Sequence, residues 1–559
     1  MATDRVKRIL EQCKALDSAR MVNEPIWDEL GSICFPRNGT ISAQRNQGAG
    51  GRPDRARVAE NFDGTAMRAC NTLATGQAAR ITPMGARWFV LRPPAAIQGN
   101  PAAENWYARC TEILAAKLGT SNFYNRAYEC YQYRGGYGVS AIETTVGVNG
   151  RGLHYRVLPT GSYSIAENSH DEVDVVYRRY RRSPAQLAEQ FELKNLPEPV
   201  KKRFDDAATR HSLSEELIHA IEPRRDRDPR KSDPRNKPVA SSHVHVESEL
   251  ELLESGFDST PIAVSRWQTN ALNPYGWSPA DYALPEAVQA NFQEQMIDVL
   301  AEVAAFPRVL YPAGMKDEID FAALGLTSFD PSAGENAVPR EWLTGGRYDI
   351  AKDRAADKKA AIEAAFFVEL FTAISRLSPK ATATQVSAIV SESREMFHPI
   401  YSNMVREFQT PVLRRSFSLL IQQGEMPPPP PAVVQSDDLG AFIADPEVEY
   451  VSAMALALEQ SNLAGLNDIL TVLTPLAAID PRWLAWLNPD IVGPHLARAK
   501  GLPSCFSRTP EEMAAIAQAQ AEQAMAEQAM AMTQGVRNLG GVDETAKAAQ
   551  MMQNMPPPQ

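Results

Sequence analysis

The chain has 559 residues, 44% of them hydrophobic, enough for several core-forming units of ordinary soluble composition. Its formal net charge of −11 argues against a protein that grips nucleic acid over a broad surface. No run approaches the roughly eighteen apolar residues of a spanning helix, and the charged start MATDRVKRILEQCK is unlike a signal peptide, so assembly in a cytoplasm is expected.

Residues 1–130 read as mainly helical. RVKRILEQCKALDSAR and NWYARCTEILAAKL carry apolar stripes of 3.6-residue period, and the Gly/Arg-rich loop at 45–57 reads as solvated. Between about 131 and 270 the pattern changes to alternation, with AIETTVGV, LHYRVLP, SYSIAE and VDVVYRRYR strand-like. SPAQLAEQF at 183–191 starts a helix, with Ser183 as N-cap and Pro184 in the first turn. RGGYG at 134–138 lacks the spacing of a phosphate-cradling loop and is expected to be a tight bend entering a hairpin. His243 and His245 share one strand face; they can chelate a metal, but an exposed polar face is the preferred reading. PRRDRDPRKSDPRNKP at 223–238 has no apolar face and is expected to be an exposed loop.

Helical periodicity returns at Asp281. Leu284, Val288, Phe292, Met296, Leu300 and Val303 form one stripe, and Glu294, Asp298 and Glu302 form a like-charge row opposite it. Such a row calls for a neighbour of opposite charge or a deliberately acidic surface. A second helix is predicted over 352–376, with Ala356, Ala360 and Ala364 on a face that lets another helix approach closely. Lys352, Lys358 and Lys359 can meet the acidic row, in the same chain or a neighbouring one. A third helix is predicted from Thr382, where Thr382 and Gln385 have capping-box spacing, to about Gln423. Pro399 and Pro411 are expected to bend or break it, and Gly424 to end it before the PPPPP run at 427–431. Residues 446–500 again look helical. The Ala/Gln/Met-rich tail from Pro510 has high helix propensity and a thin apolar stripe, and the last dozen residues read as disordered.

The search for catalytic chemistry is negative. The chain lacks GxxxxGK[ST], GxSxG, HExxH and CxxC patterns, so no nucleophile, phosphate loop or zinc site is indicated and no cofactor is expected. Cys13, Cys34, Cys70, Cys110, Cys130 and Cys505 show no pairing pattern and read as reduced, buried small hydrophobes.

Four blocks in order resemble the head-to-tail connector (portal) family of short-tailed bacteriophages. The first is IWDELGSICFPRNG followed by ENFDGTAMRACNTLATGQAARITPMGARWFVLRP, and the second is VDVVYRRYRRSPAQLAEQF. The third is TATQVSAIVSESREMFHPIYSNMVREFQTPVLRRSFSLLIQQGEMPPPP, and the fourth EYVSAMALALEQ followed by GLPSCFSRTPEEM. The resemblance covers most of the chain, departing from it mainly in the 45–57 and 223–238 loops. Another virion structural protein, such as a tail adaptor or scaffold, is the alternative; the order helix, short irregular segment, helix after 281 and the alternating middle region argue against it.

The resemblance implies a mainly helical α+β chain that assembles as a ring, with an α/β wing, a two-helix stem, a small α/β clip and a helical crown. By order, the wing takes 1–280, the stem helices 281–306 and 352–376, and the clip 307–350. The tunnel loop takes 376–382, the long helix of the wing and channel side 382–440, and the crown and tail 441–559. The implied assembly is a ring of twelve chains around a DNA channel at one capsid vertex of the virion, made in the host cytoplasm. Its implied partners are double-stranded DNA in transit, the terminase large subunit, the major capsid and scaffold proteins and tail adaptors, with no membrane. Leu377, Ser378, Pro379, Lys380 and Ala381 would then be the loop entering the channel, with the acidic row and the three lysines at the lumen or the stem interface. The acidity of the chain suits a lumen that lets phosphates slide, and equally suits the solubility of a large assembly.

Overall fold

The computed structural model describes residues 4–42, 58–147, 150–228, 230–231, 233–305, 309–310, 340–341, 348–372, 396–437 and 440–451. All of them belong to the first of two units, Met1–Leu458; the second, Glu459–Gln559, lies outside the described residues. The mixture is α+β, as expected.

The opening of the chain is helical, with α1 (Asp4–Met21), α2 (Glu24–Cys34), α3 (Thr65–Arg80), α4 (Pro101–Thr120) and α5 (Phe123–Tyr137) among the described residues. The short strand β1 (Phe89–Arg92) lies between α3 and α4. At the start of α4 the Asn100 side chain accepts from the amides of Ala102 and Ala103, satisfying donors that the first turn leaves unpaired. α5 overturns the reading of RGGYG as a bend, because Gly135 and Gly136 lie inside the helix. A Cβ on Gly136 would fall 2.2 Å from the Phe35 ring, so the glycine is there for close packing against the chain after α2. Only Gly138, at φ +82°, makes the turn into the next strand.

The alternating region forms two antiparallel sheets. In the smaller, β2 (Val139–Val146) is flanked by β3 (Leu153–Leu158) and, from much later in the chain, β9 (Ile262–Arg266). The larger is a meander of β4 (Tyr163–Glu167), β5 (Val173–Arg182), β6 (Glu215–Pro223), β7 (Val239–His245) and β8 (Leu250–Phe257). Both its faces are covered. α1 lays Val6, Ile9 and Cys13 on Tyr177, Ile218, Ala220 and Val244. On the other face α6 (Pro184–Phe191) and α7 (Glu198–Asp205) bury Leu187, Phe191 and Val200 with Leu217 and Leu252. Neighbours Leu217 and Ile218 go to opposite faces, as the two-residue strand period requires. Ser183 caps α6 as predicted, in a full capping box with Gln186. The 224–238 loop is largely exposed, although the Arg224 side chain turns inward to pair with Glu254 at 3.1 Å.

A hairpin of β10 (Gln268–Asn270) and β11 (Asn273–Trp277) leads into the long helix α8 (Pro279–Ala305). Its start is held reciprocally by Ser278 and Asp281, each side chain accepting from the other's backbone amide at 3.0 and 2.7 Å. The next long helix, α9 (Tyr348–Ala365), begins earlier than the sequence suggested and ends earlier too. Between their ends, β12 (Val309–Leu310) pairs antiparallel with β13 (Arg340–Glu341), so α8 and α9 run antiparallel side by side. The predicted second helix breaks at Phe367, φ +53°, before a short α10 (Val368–Thr372). The break turns Phe367 and Phe371 onto Phe397, with ring centroids 5.6 and 5.7 Å apart. Aromatic packing outweighs local helix periodicity there.

The third long helix is described from residue 396. Of the bend or break expected at Pro399 and Pro411, no break occurs, and the helix is instead locally widened ahead of Pro411. A wider π turn over Val405–Gln409, closed by the Thr410 amide on the Val405 carbonyl, precedes α11 (Thr410–Gln422) and places Pro411 in the first turn of α11, where no amide donor is needed. Gly424 (φ +69°) then ends it in a full Schellman motif: its amide donates to Ile421 and that of Glu425 to Leu420. The hairpin of β14 (Val434–Asp437) and β15 (Gly440–Ile443) follows, and β16 (Glu447–Tyr450), at the start of the stretch expected to be helical, instead pairs as a strand with β1, while 452–500 lie outside the described residues.

Cys13, Cys34, Cys70, Cys110 and Cys130 are buried and unbridged, as read; Cys505 lies outside the described residues. Among the described residues no helix is long and apolar enough to cross a membrane.

Candidate functional site

Leu377, Ser378, Pro379, Lys380 and Ala381, together with the capping pair Thr382 and Gln385, lie outside the described residues. What the structure gives is the anchorage of the helix on their C-terminal side. Arg266, at the end of β9 and almost wholly buried, grips Glu407 in the π turn. Its backbone amide donates to Glu407 Oε2 at 2.8 Å, and Nε and Nη2 donate to Oε1 at 3.1 and 2.7 Å. The same guanidinium reaches Glu167 and the carbonyls of Pro274 and Asp171, the carbonyls at 3.2 and 3.0 Å. Burial pulls the Arg266 pKa down, but Glu407 and Glu167 more than reverse this and hold it above the usual arginine value.

A second buried arginine, Arg134 of α5, completes the clamp. Its Nε donates to the Arg266 carbonyl at 3.1 Å and its Nη2 to the Ile400 carbonyl at 2.9 Å. Its guanidinium also lies over the Trp267 ring, 5.0 Å from the centroid. Burial depresses its pKa to about 10, with Glu407 acting in opposition. Asn403 adds a hydrogen bond to the Arg266 carbonyl at 3.0 Å. The helix described from residue 396 is thus pinned to α5 and the small sheet by charge-assisted bonds. Sequence reasoning missed this clamp. Its members come from α5, β9 and the π turn, and no local spacing connects them.

The acidic row divides. Glu294 forms an ion pair with Lys359 of α9 in the same chain, and Asp63 Oδ1 stands 3.7 Å from the same ammonium. Asn291 ties the chain before α3 to α8, accepting from the amides of Phe62 and Asp63 at 2.6 and 3.0 Å. Asp298, Glu302 and Lys352 are exposed and Lys358 is half-buried, and they form no ion pair among the described residues. The apolar stripe is placed unexpectedly. The core takes Ala280, Ala283, Ala287 and Ala290 from α8, while Val288 and Phe292 are 55% and 60% exposed and Met296 also faces outward. Small residues win the inner face because α8 packs closely against α3, α5 and α9. On α9, Ala356, Ala360 and Ala364 likewise face outward.

His243 and His245 correct the reading of an exposed polar face: α6 and α7 cover them. The His243 ring stacks on His219, its cross-strand neighbour, at 3.9 Å, and its Nδ1 bonds the Tyr180 hydroxyl at 3.0 Å. His245 Nε2 meets Glu215 Oε2 at 3.1 Å, and Glu247 lies close enough for the three to converge on one ion. Arg203 already bridges Glu215, at 3.0 Å, and Glu247. The carboxylates are therefore already engaged by an arginine and a histidine in a closed structural network. Two clefts beside α1, of about 460 and 980 Å³, are likewise lined by paired groups such as Arg179–Asp17 and Arg8–Glu222.

The sequence from residue 6 to residue 506 matches the family model described as bacteriophage head to tail connecting protein. The chain belongs to that family. It is similar to the portal protein of Salmonella phage epsilon15, 26% identical over 544 residues, covering 96% of this chain and 94% of the relative. It is also 26% identical over 472 residues to the probable portal protein of Bordetella phage BPP-1, covering 83% and 82%. Among solved structures, a chain from the virion of a native gene transfer agent particle aligns over 76% of this chain and 94% of its own. That alignment has 12% identity and a TM-score of 0.35.

Proposed function

We propose that this portal protein of the head-to-tail connecting family works as a ring of twelve copies at one vertex of a phage head. The family match across residues 6–506 is the observation that carries this reading. In it, α8 and α9 are the stem, 307–350 the clip between their far ends, and 376–382 the loop that enters a central channel. The antiparallel pairing of α8 with α9 and the outward apolar face of α8 support a stem whose partners are further copies. The role is structural: the ring nucleates head assembly with the major capsid and scaffold proteins and docks the terminase large subunit. It passes double-stranded DNA inward, retains it, and then holds tail adaptors, without catalysis of its own.

Lys380 is the one charge among residues 377–381, so the loop touches phosphates weakly and without sequence preference. The Arg134–Arg266–Glu407 clamp supports this use of the loop, because it fixes the helix on the loop's C-terminal side against the load of moving DNA. Negative-stain micrographs of the purified protein should show rings with a central hole; native mass spectra holding only monomer across salt conditions would refute the ring. Deleting residues 378–381 should leave rings and heads assembling while DNA packaging or retention fails. Particles that fill and keep their genome normally would show the segment to be an ordinary turn.

A further inference from the structure

We infer that the apolar ridge of α8 seats in the alanine groove of α9 on the neighbouring copy, making a head-to-tail contact that closes without rise. The inference rests on the ring reading and names the contact that would build it. Val288, Phe292, Met296 and Val299 recur at helical spacing and are exposed, a continuous apolar ridge that a chain alone leaves in water. The same two-helix unit carries the complementary shape. Ala356, Ala360 and Ala364 recur at four-residue spacing on the outward side of α9, away from buried Ala355, Ile362 and Phe366, where a partner helix can come close.

Three features select a second copy as the occupant. First, large side chains on one face and small ones on another make a heterologous pair, which repeats from chain to chain, whereas a twofold contact would need one self-complementary patch. Second, the Glu294–Lys359 pair holds the antiparallel helices in register, placing Phe292 near the level of Ala361 and Met296 near that of Asp357. Ridge and groove therefore stand at about the same height, so the contact has no rise along the helix pair, the condition a ring requires and a filament does not meet. Third, one polar pair matches at that height: exposed Gln295 beside the ridge stands near the level of exposed Asp357 beside the groove, an amide donor opposite a carboxylate acceptor.

The test is a crosslink between copies. Phe292→Cys and Ala360→Cys chains, each single and differently tagged, are co-expressed and oxidised, with the unaltered chain run in parallel to account for the native cysteines. The expected product is a dimer carrying both tags, absent when either variant is expressed alone. A chain with both substitutions should give a ladder of crosslinked multimers. A dimer of Phe292→Cys with itself would overturn the inference in favour of a symmetric contact. Rings on the grid with no mixed dimer would overturn it while leaving the ring reading intact, and the absence of both rings and multimers would remove the ring reading as well. As a second measurement, Phe292→Glu should abolish rings while the far-ultraviolet circular dichroism of the chain is unchanged; rings that persist would count against the contact.

Discussion

Glu407→Ala is expected to destabilise the protein by about 3–5 kcal/mol, because it leaves the Arg266 guanidinium buried without its principal counter-charge. The carboxylate accepts from the Arg266 backbone and from two of its side-chain nitrogens, so one truncation removes three hydrogen bonds. Glu167 remains near Nη1 but cannot replace the contact to the helix. The loss should appear as a lower thermal midpoint and faster proteolysis of the purified chain, and Glu407→Gln, which keeps an acceptor, should lose less. Glu198→Ala is the control: its side chain is 77% exposed and among the described residues pairs with Lys201 on the surface, so its effect should stay within about 0.5 kcal/mol. Equal midpoints for Glu407→Ala and the parent would refute the clamp.

Acid sensitivity is the second large effect. Burial pushes His219 down to about 3, with the nearby Arg178 charge acting in the same direction. Burial also holds His243 well below the usual histidine value, helped by His219 beside it and by Arg178, and opposed by Glu143. In the unfolded chain both rings take protons near pH 6.5. Between that value and about 3 the unfolded state therefore binds more protons than the folded one. Stability is fully present above about pH 6.5 and is lost as pH falls toward the folded value. From pH 7 to pH 5 each ring contributes a loss of up to about 2 kcal/mol, in a window where carboxylates of ordinary pKa barely titrate. A chain with His219→Gln and His243→Gln should start less stable, because the stacked pair is lost, but fall less in thermal midpoint over that window. The same slope in both chains would show that the pair is not the source.

Much of this architecture was legible because it is set by local physics. Ser183 and Pro184 specify the start of α6, Gly424 supplies the positive φ that ends α11, and alternation from Ala141 to Tyr180 makes strands whatever they pack against. The family resemblance was equally legible, since ordered blocks of residues survive without any knowledge of shape. Tertiary structure decided whatever depends on what covers a face. The periodicity of α8 revealed a ridge, but only the close approach of α3, α5 and α9 turned its alanines inward and left Phe292 in solvent. The spacing of His243 and His245 placed them on one strand face, and two helices earlier in the chain buried that face. Gly136 looked like a bend until Phe35 needed its missing side chain, and Phe367 broke a periodic helix to reach other aromatic rings. Arg134, Arg266 and Glu407 left no sequence signal at all: a buried charge is stable only beside partners, and these partners are brought together by the fold from three distant segments.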